Sequence, residues 1–462
     1  MSKPWSLLTL PGPRKHLESI SAVLDNGMSC VWLIPDEFVK NGFADDLLDE
    51  LAIAHDSVHI PAPEETQCDG GGRAHAVVPT LTARPTNDLP AWAQDTFSGL
   101  AGFDAPTSSS TVAVAPRTTS VAERIVQLLG LQTKAYSDEI HAIVAEPLLH
   151  GKVLVVRGWR EQDRDSLASV LTRLTSLVKE EGLQPEHRPR ILLATRENDL
   201  PRTALDRLDQ MTTRVRWWWG AVGRLDTAVV VASARPKFSG KISHASSLRE
   251  IVALDVITEV AGPDLWLAEH LAVSWDGLIS SLGDEIEAAT RDLTGECHHV
   301  GVQRGHSGNR PPHELRPLWR LAMADLWEHQ LRVSPAANRP KRDGIGLNTL
   351  IWRGQNRALM PIVDEYRGQI EMSFRKRASQ AVLTDVTQQE GPRKSAPAQP
   401  RRTVLELGAM AWAISSRRVR LTQADNELLF SLLDVRNSLA HLQPITDEMI
   451  ERLAHALPGE RH

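Results

Sequence analysis

Lys152-Val153-Leu154-Val155-Val156, a helix-patterned run from 161 to 182, and then Arg190-Ile191-Leu192-Leu193-Ala194-Thr195 form the stretch that decides the fold. The two short runs are apolar almost without interruption, so each suits a strand buried on both faces. The run between them carries Leu167, Val170, Leu171, Leu174, Leu177 and Val178 at helical spacing, on one face. Continuous apolar strands alternating with helices predict a parallel sheet covered on both sides.

Working outward, the same rhythm continues towards the N-terminus. Residues 14–26 predict an amphipathic helix through Leu17, Ile20, Val23 and Leu24, ended by Asn26-Gly27. Cys30-Val31-Trp32-Leu33-Ile34 predicts a buried strand stopped by Pro35. Residues 43–54 predict a helix, 57–60 a strand and 120–130 a further helix. The stretch 61–120, rich in Gly, Pro, Thr and Ser, reads as an irregular insertion. Towards the C-terminus, 214–219 and 227–232 predict two more strands.

From about 246 the pattern turns helical, at 247–259, 264–274, 277–292, 314–332, 346–377, 403–418, 423–441 and 446–457. The stretch 294–313 is polar, and 388–402 has the composition of a flexible linker or long loop. The expected plan is an α/β unit over 1–240, an all-α connector over 241–344 and a helical unit over 345–462 with a flexible segment at 388–402. No internal repeat is seen.

The composition sets limits. A chain of 462 residues suggests two to three domains, and 42% hydrophobic with 24% charged residues suits a sizeable core. The formal net charge is -6, so any contact with nucleic acid must come from a local patch. Cys30, Cys68 and Cys297 are too few and scattered for a disulfide framework. With no apolar run of membrane-spanning length and no signal-peptide pattern at the start, a cytoplasmic protein is expected.

The arrangement over roughly 10–290 resembles a P-loop NTPase of the STAND or AAA kind, with 251–274 similar to its small helical lid. An α/β domain of other ancestry is the alternative. The chemical groups of such a site are missing. The loop after the first strand is Pro35-Asp36-Glu37-Phe38-Val39-Lys40-Asn41-Gly42-Phe43, with one glycine and no Gly-Lys-Ser/Thr. Asp36 and Glu37 would set two carboxylates near an anion. Strand 152–156 is followed by Arg157-Gly158 instead of a metal-holding acid, and Thr195 stands where a sensor residue would. The core is therefore expected to be an inert scaffold, with no ATP hydrolysis, no cofactor and no metal.

The C-terminal helices end in chemistry. Within Leu433-Asp434-Val435-Arg436-Asn437-Ser438-Leu439-Ala440-His441, Asn437 and His441 are four apart and share a helix face. Metal-free strand scission needs a proton-transfer group active near neutral pH and a cation for the phosphorane, and histidine and arginine supply these. Four apolar-striped helices over 345–458, together with this run, resemble a HEPN domain. The resemblance implies that Arg436, Asn437 and His441 are catalytic, and that two copies meet across a homodimer to complete a site for RNA. It further implies a defence or conflict-system protein, with a possible partner subunit. The alternative is a non-catalytic adaptor that dimerises through this unit. There, Arg436 would pair with Asp434 or Glu427, and Asn437 and His441 would cap or bridge helices.

Three weaker signals remain. Cys297-His298-His299, with His306 and His313, contains zinc-ligand types in a spacing better suited to a solvated loop. Trp217-Trp218-Trp219 suits core packing, with a base-stacking platform as the alternative. Arg375-Lys376-Arg377 and Arg393, Lys394, Arg401 and Arg402 are candidate RNA contacts or plain solvated surface.

Overall fold

A computed structural model describes residues 5–63, 119–133, 136–201, 203–236, 244–289, 308–337, 345–388 and 404–458. Five strands form one parallel sheet: β1 (Ser29–Leu33), β2 (Ser57–His59), β3 (Val153–Arg157), β4 (Arg190–Thr195) and β5 (Thr213–Trp217). Their order is β2-β3-β4-β1-β5. Cys30 lies opposite Leu192 on one side of β1 and opposite Arg214 on the other. The three inner strands carry the longest apolar runs, because a strand with neighbours on both sides and helices on both faces meets no water.

Parallel strands need long crossovers, and helices supply them. The helices of the N-terminal part are α1 (Pro11–Asp25), α2 (Asp36–Lys40), α3 (Phe43–Ile53), α4 (Val121–Leu129), α5 (Glu139–Ala145), α6 (Arg164–Glu180) and α7 (Arg224–Ala234), of which α2 to α6 lie between strands. The long α6 starts where the Asp163 side chain accepts from the Ser166 N–H at 2.9 Å.

Two expectations need correction. The run 227–232, read as a strand, lies inside α7. The Asp226 carboxylate accepts from the Gly223 N–H and fixes the first turn of that helix. The connector expected to be all-helical contains a hairpin. After α8 (His244–Ala261), α9 (Leu265–Ser274) and α10 (Leu282–Ala288), the short α11 (Arg316–Arg320) is followed by β6 (Ala324–Trp327) and β7 (Gln330–Val333). Helix over 314–332 is broken by left-handed backbone at Ala322, Glu328 and His329. The last two form the two-residue loop of an antiparallel pair.

The C-terminal part is helical: α12 (Ile345–Arg377), α13 (Gln380–Gln388), α14 (Leu407–Ser415), α15 (Gln423–Ala440) and α16 (Asp447–Ala456). Helix α8 lies along α12 and also touches α16, so it packs with these helices as well as with the sheet side. The α8–α12 crossing is close. A Cβ on Gly354 would come within 2.6 Å of the Val256 Cα, so only glycine fits there. One hydrophobic core runs from the sheet through α8 into these helices. Among the described residues no helix is long and apolar enough to cross a membrane.

Candidate functional site

Helix α15 begins at Thr422, whose hydroxyl accepts from the Asp425 N–H at 3.1 Å. Leu428, Leu429, Leu432, Val435 and Leu439 are buried, which turns the remaining positions outward. The helix stops at His441, whose N–H still donates to the Asn437 carbonyl at 3.0 Å. Leu442 is left-handed, with φ 59°, and the Gln443 N–H returns to the Ser438 carbonyl at 3.0 Å. Pro444 follows, where the helix cannot continue.

This terminus is tied to α12 at two points. The Trp352 indole Nε1 donates to the Leu439 carbonyl at 2.7 Å. The buried Gln355 amide pairs with the backbone of Ile445, donating to its carbonyl at 2.9 Å and accepting from its N–H at 2.8 Å.

Arg436 and His441 are exposed, and Asn437 is half-buried between them. The Arg436 Nη1 donates to Asn437 Oδ1 at 3.2 Å, and its Nη2 stands 3.8 Å from Glu406. Neither expected structural partner takes Arg436. Asp434 faces Arg452, and Glu427 accepts from Gln423. Among the described residues the His441 side chain makes no hydrogen bond. The helix terminus thus presents a guanidinium, an amide and an imidazole to solvent within one and a half turns.

At the carboxyl edge of the sheet, side chains fill the loop after β1. Asp36 and Glu37 open the five-residue α2. Burial pushes the Asp36 carboxyl above its ordinary range, while Arg196 and Arg320 pull it back. Phe38 is buried, with its ring 4.9 Å from Trp218 and 5.7 Å from Trp266. The space left between these rings, Trp319 and Asp325 is about 10 Å³, which is room for about one water. Arg157 spans from β3 to α3, donating to Asp45 at 2.9 Å and to Asp49 at 2.6 Å. The Arg157 side chain at the end of β3 is therefore a strut between β3 and α3. A Cβ on the next residue, Gly158, would lie 2.5 Å from the Thr195 Oγ1, so the β3 and β4 ends are packed together.

The three tryptophans Trp217, Trp218 and Trp219 are all buried, which removes the base-stacking alternative. Trp217 packs edge-on to Trp319 and under Arg316. Among the described residues no group of three His, Cys, Asp or Glu could hold a metal ion. Cys297, His298, His299 and His306 lie outside the described residues, as do Arg393, Lys394, Arg401 and Arg402. Arg375 pairs with Glu371 at 2.7 Å.

Sequence reading missed one cluster. Glu259 of α8, 3% exposed, is ringed by four arginines from three other elements: Arg224 of α7, Arg332 of β7, and Arg353 and Arg357 of α12. No local pattern signals it, because the five residues span 134 positions of chain (224 to 357).

No family model, no curated protein and no solved structure matches this chain.

Proposed function

We propose that the helical unit is a metal-independent endoribonuclease of the HEPN type, carried on a nucleotide-binding scaffold that has lost its chemistry. The carrying observation is the exposure of Arg436 and His441, with Asn437 between them, on a terminus held rigidly by Trp352 and Gln355. A structural trio would be expected to sit in buried pairs.

In the reaction, an imidazole accepts the proton of a ribose 2′-hydroxyl, and the 2′-oxygen bonds to the adjacent phosphorus. The bond to the 5′-oxygen breaks, and that oxygen takes up a proton. The products are a 2′,3′-cyclic phosphate and a 5′-hydroxyl end. Arg436 would clamp the charge that builds on the phosphorane, and Asn437 already holds its guanidinium in place. A second copy of the chain would supply the second imidazole.

The scaffold reading is supported by the strut role of Arg157 and by the aromatic packing around Phe38, which fills the loop after β1. The parallel sheet, with β1 between β4 and β5, supports an α/β core. A place in a defence or conflict system remains part of this proposal.

A second reading is an adaptor that dimerises through the same unit. The exposed apolar side chains of Phe430 and Leu442 on α15 and its end favour it. The two are separated by incubating purified protein with an RNA pool in EDTA. Cleavage by wild type that is lost in His441→Ala supports the nuclease. A wild type without cleavage, alone or with added partner proteins, leaves the adaptor.

A further inference from the structure

We propose that Arg353 and Arg357, with Arg224 behind them, form an anchoring site for the phosphate backbone of a single-stranded RNA. This deepens the ribonuclease reading and rests on it for the identity of the ligand.

The cluster begins with a buried charge that needs a partner. Arg224 satisfies Glu259 directly, Nη1 to Oε2 at 2.8 Å, and reaches Asp255 with Nη2 at 2.5 Å. Arg332 donates to the Glu259 backbone carbonyl. Arg224 thus holds Oε2, while Oε1 has the Arg332 Nη1 at 3.5 Å and the Arg353 Nη1 at 3.7 Å beside it. Arg353 and Arg357 stand off at 3.7 and 3.8 Å, beyond hydrogen-bonding range. Each guanidinium carries five N–H donors, and among the described residues neither makes a hydrogen bond. Their side chains are 36% and 54% exposed.

The charge balance is positive. Four guanidiniums face Asp255, Glu259 and Glu328, the last of which accepts from the Arg224 N–H at 3.1 Å. The crowding has a cost within the cluster: burial lowers the Arg332 pKa, and Arg353 and Arg224 press it the same way against Glu259. An added anion would relieve that repulsion. In a chain whose net charge is -6, a local excess of donors is the feature an anionic ligand can find.

Helix geometry places this site next to the face of α12 that bonds the α15 terminus. Successive residues turn by about 100° in an α-helix. On α12, Trp352 points to the α15 terminus and Gly354 to α8. Arg353 and Arg357 occupy the arc between them, about 100° and 140° round from Trp352. They are also about 6 Å apart along the axis, at four residues of 1.5 Å rise. A strand crossing this arc meets two guanidiniums next to the Trp352 face that bonds the α15 terminus. A repeating polyanion suits that layout better than a single phosphate.

The test uses the full chain and a labelled 20-nucleotide RNA with every 2′-hydroxyl methylated, which cannot be cleaved. Fluorescence anisotropy is followed across a salt series. The double variant Arg353→Gln, Arg357→Gln should bind roughly 25-fold more weakly at 0.1 M salt, from two lost contacts extrapolated from 1 M, and its salt slope should fall by about 1.4. Glu259→Gln should bind at least as tightly as wild type. Thermal melting checks that each variant is folded. On cleavable RNA, the double variant should raise KM and leave kcat near wild type. Unchanged affinity and slope in the folded double variant overturn the anchor, whatever cleavage shows. Displacement of the RNA by millimolar inorganic phosphate or ATP as efficiently as by unlabelled RNA assigns the site to a free phosphate ligand and also overturns it. A wild type that binds but never cleaves defeats the nuclease reading and leaves the anchor standing.

Discussion

The indole of Trp352 donates to the carbonyl of Leu439 at 2.7 Å and so joins α12 to the last turn of α15, two residues before His441. The carbonyls of a helix's last turn have no partner within the helix, and this one is satisfied by a side chain from another helix. Trp352→Phe keeps most of the packing and removes the donor. It should cost about 1 kcal/mol in urea unfolding. The amides of 438–443 should exchange faster with deuterium, and cleavage should fall without loss of fold. Unchanged exchange there would mean the bond does not hold the terminus.

The neighbouring tie is stronger. Gln355 is fully buried and pairs with both the N–H and the carbonyl of Ile445. Gln355→Leu leaves both backbone groups buried without partners. A loss of roughly 2–6 kcal/mol is expected, at about 1–3 for each orphaned group. A loss under 1 kcal/mol would show that water reaches the loop.

Buried Asp325 and half-buried His16 set opposing pH dependences. Burial pushes the Asp325 carboxyl up to about 7, against the N–H bonds from Gly220 and Leu326 that favour the ionised form. Its contribution is present below the ordinary carboxylate pKa and is lost as pH rises through about 7. Burial, with Arg216 adding to it, lowers the His16 pKa to about 4, and its Nε2 accepts from the Trp32 indole. That contribution is present above about 6.5 and is lost as pH falls towards about 4. Between these limits each slope is about 1.4 kcal/mol per pH unit, with opposite sign. Asp325→Asn should therefore make stability fall on acidification relative to wild type, and His16→Gln should make it rise, each by up to about 3 kcal/mol. Urea titrations at pH 4.5 and 6.5 decide it, and parallel profiles for both variants would refute the pairing.

The sheet was legible because its inner strands, β1, β3 and β4, are apolar on both faces over their central residues. The helix over 227–232 was not, because Val229, Val230 and Val231 run together and hide the 3.6-residue period. Only Val230 and Val231 of that run are buried. The β6–β7 hairpin was missed because its loop is Glu328-His329, without the Asn or Gly that marks such turns. What holds β6 is distant: Asp325 accepts from the Gly220 N–H across 105 positions. The same contrast applies to the sites. Arg436, Asn437 and His441 sit within six consecutive residues of one helix end, so their grouping is local. The Glu259 cluster exists only after α7, α8, β7 and α12 have come together.

The packing around Phe38 leads to a prediction for the scaffold. With Phe38 and Trp218 at 4.9 Å and Arg157 occupied by Asp45 and Asp49, Mg-ATP should give no binding heat at micromolar protein. Arg157→Asp should not create affinity. It would set three carboxylates together without a phosphate cradle, and should lower stability instead. Micromolar affinity for Mg-ATP in wild type would show that the aromatic cluster moves aside.

The last prediction concerns whether one copy is enough. A single terminus presents one imidazole and one guanidinium, while the reaction needs a proton taken from the 2′-hydroxyl and another given to the leaving oxygen. If two copies complete the site, His441→Ala alone should lose roughly 10²–10⁴ in rate. Arg436→Ala should lose about 3–4 kcal/mol of transition-state stabilisation, by analogy with an oxyanion donor. Arg436→Lys should recover only part of that, because an ammonium cannot fork onto two phosphate oxygens. Both side chains face solvent, so each variant should melt within a few degrees of wild type. Mixing the two alanine variants then gives hybrid dimers holding one His441 and one Arg436. A mixture more active than either variant alone, with activity rising as subunits exchange, places the site across two copies. A mixture no better than the sum of its parts, from variants shown to exchange subunits, removes a site built from one copy's His441 and the other copy's Arg436 alone. Variants that both melt far below wild type would make the trio structural.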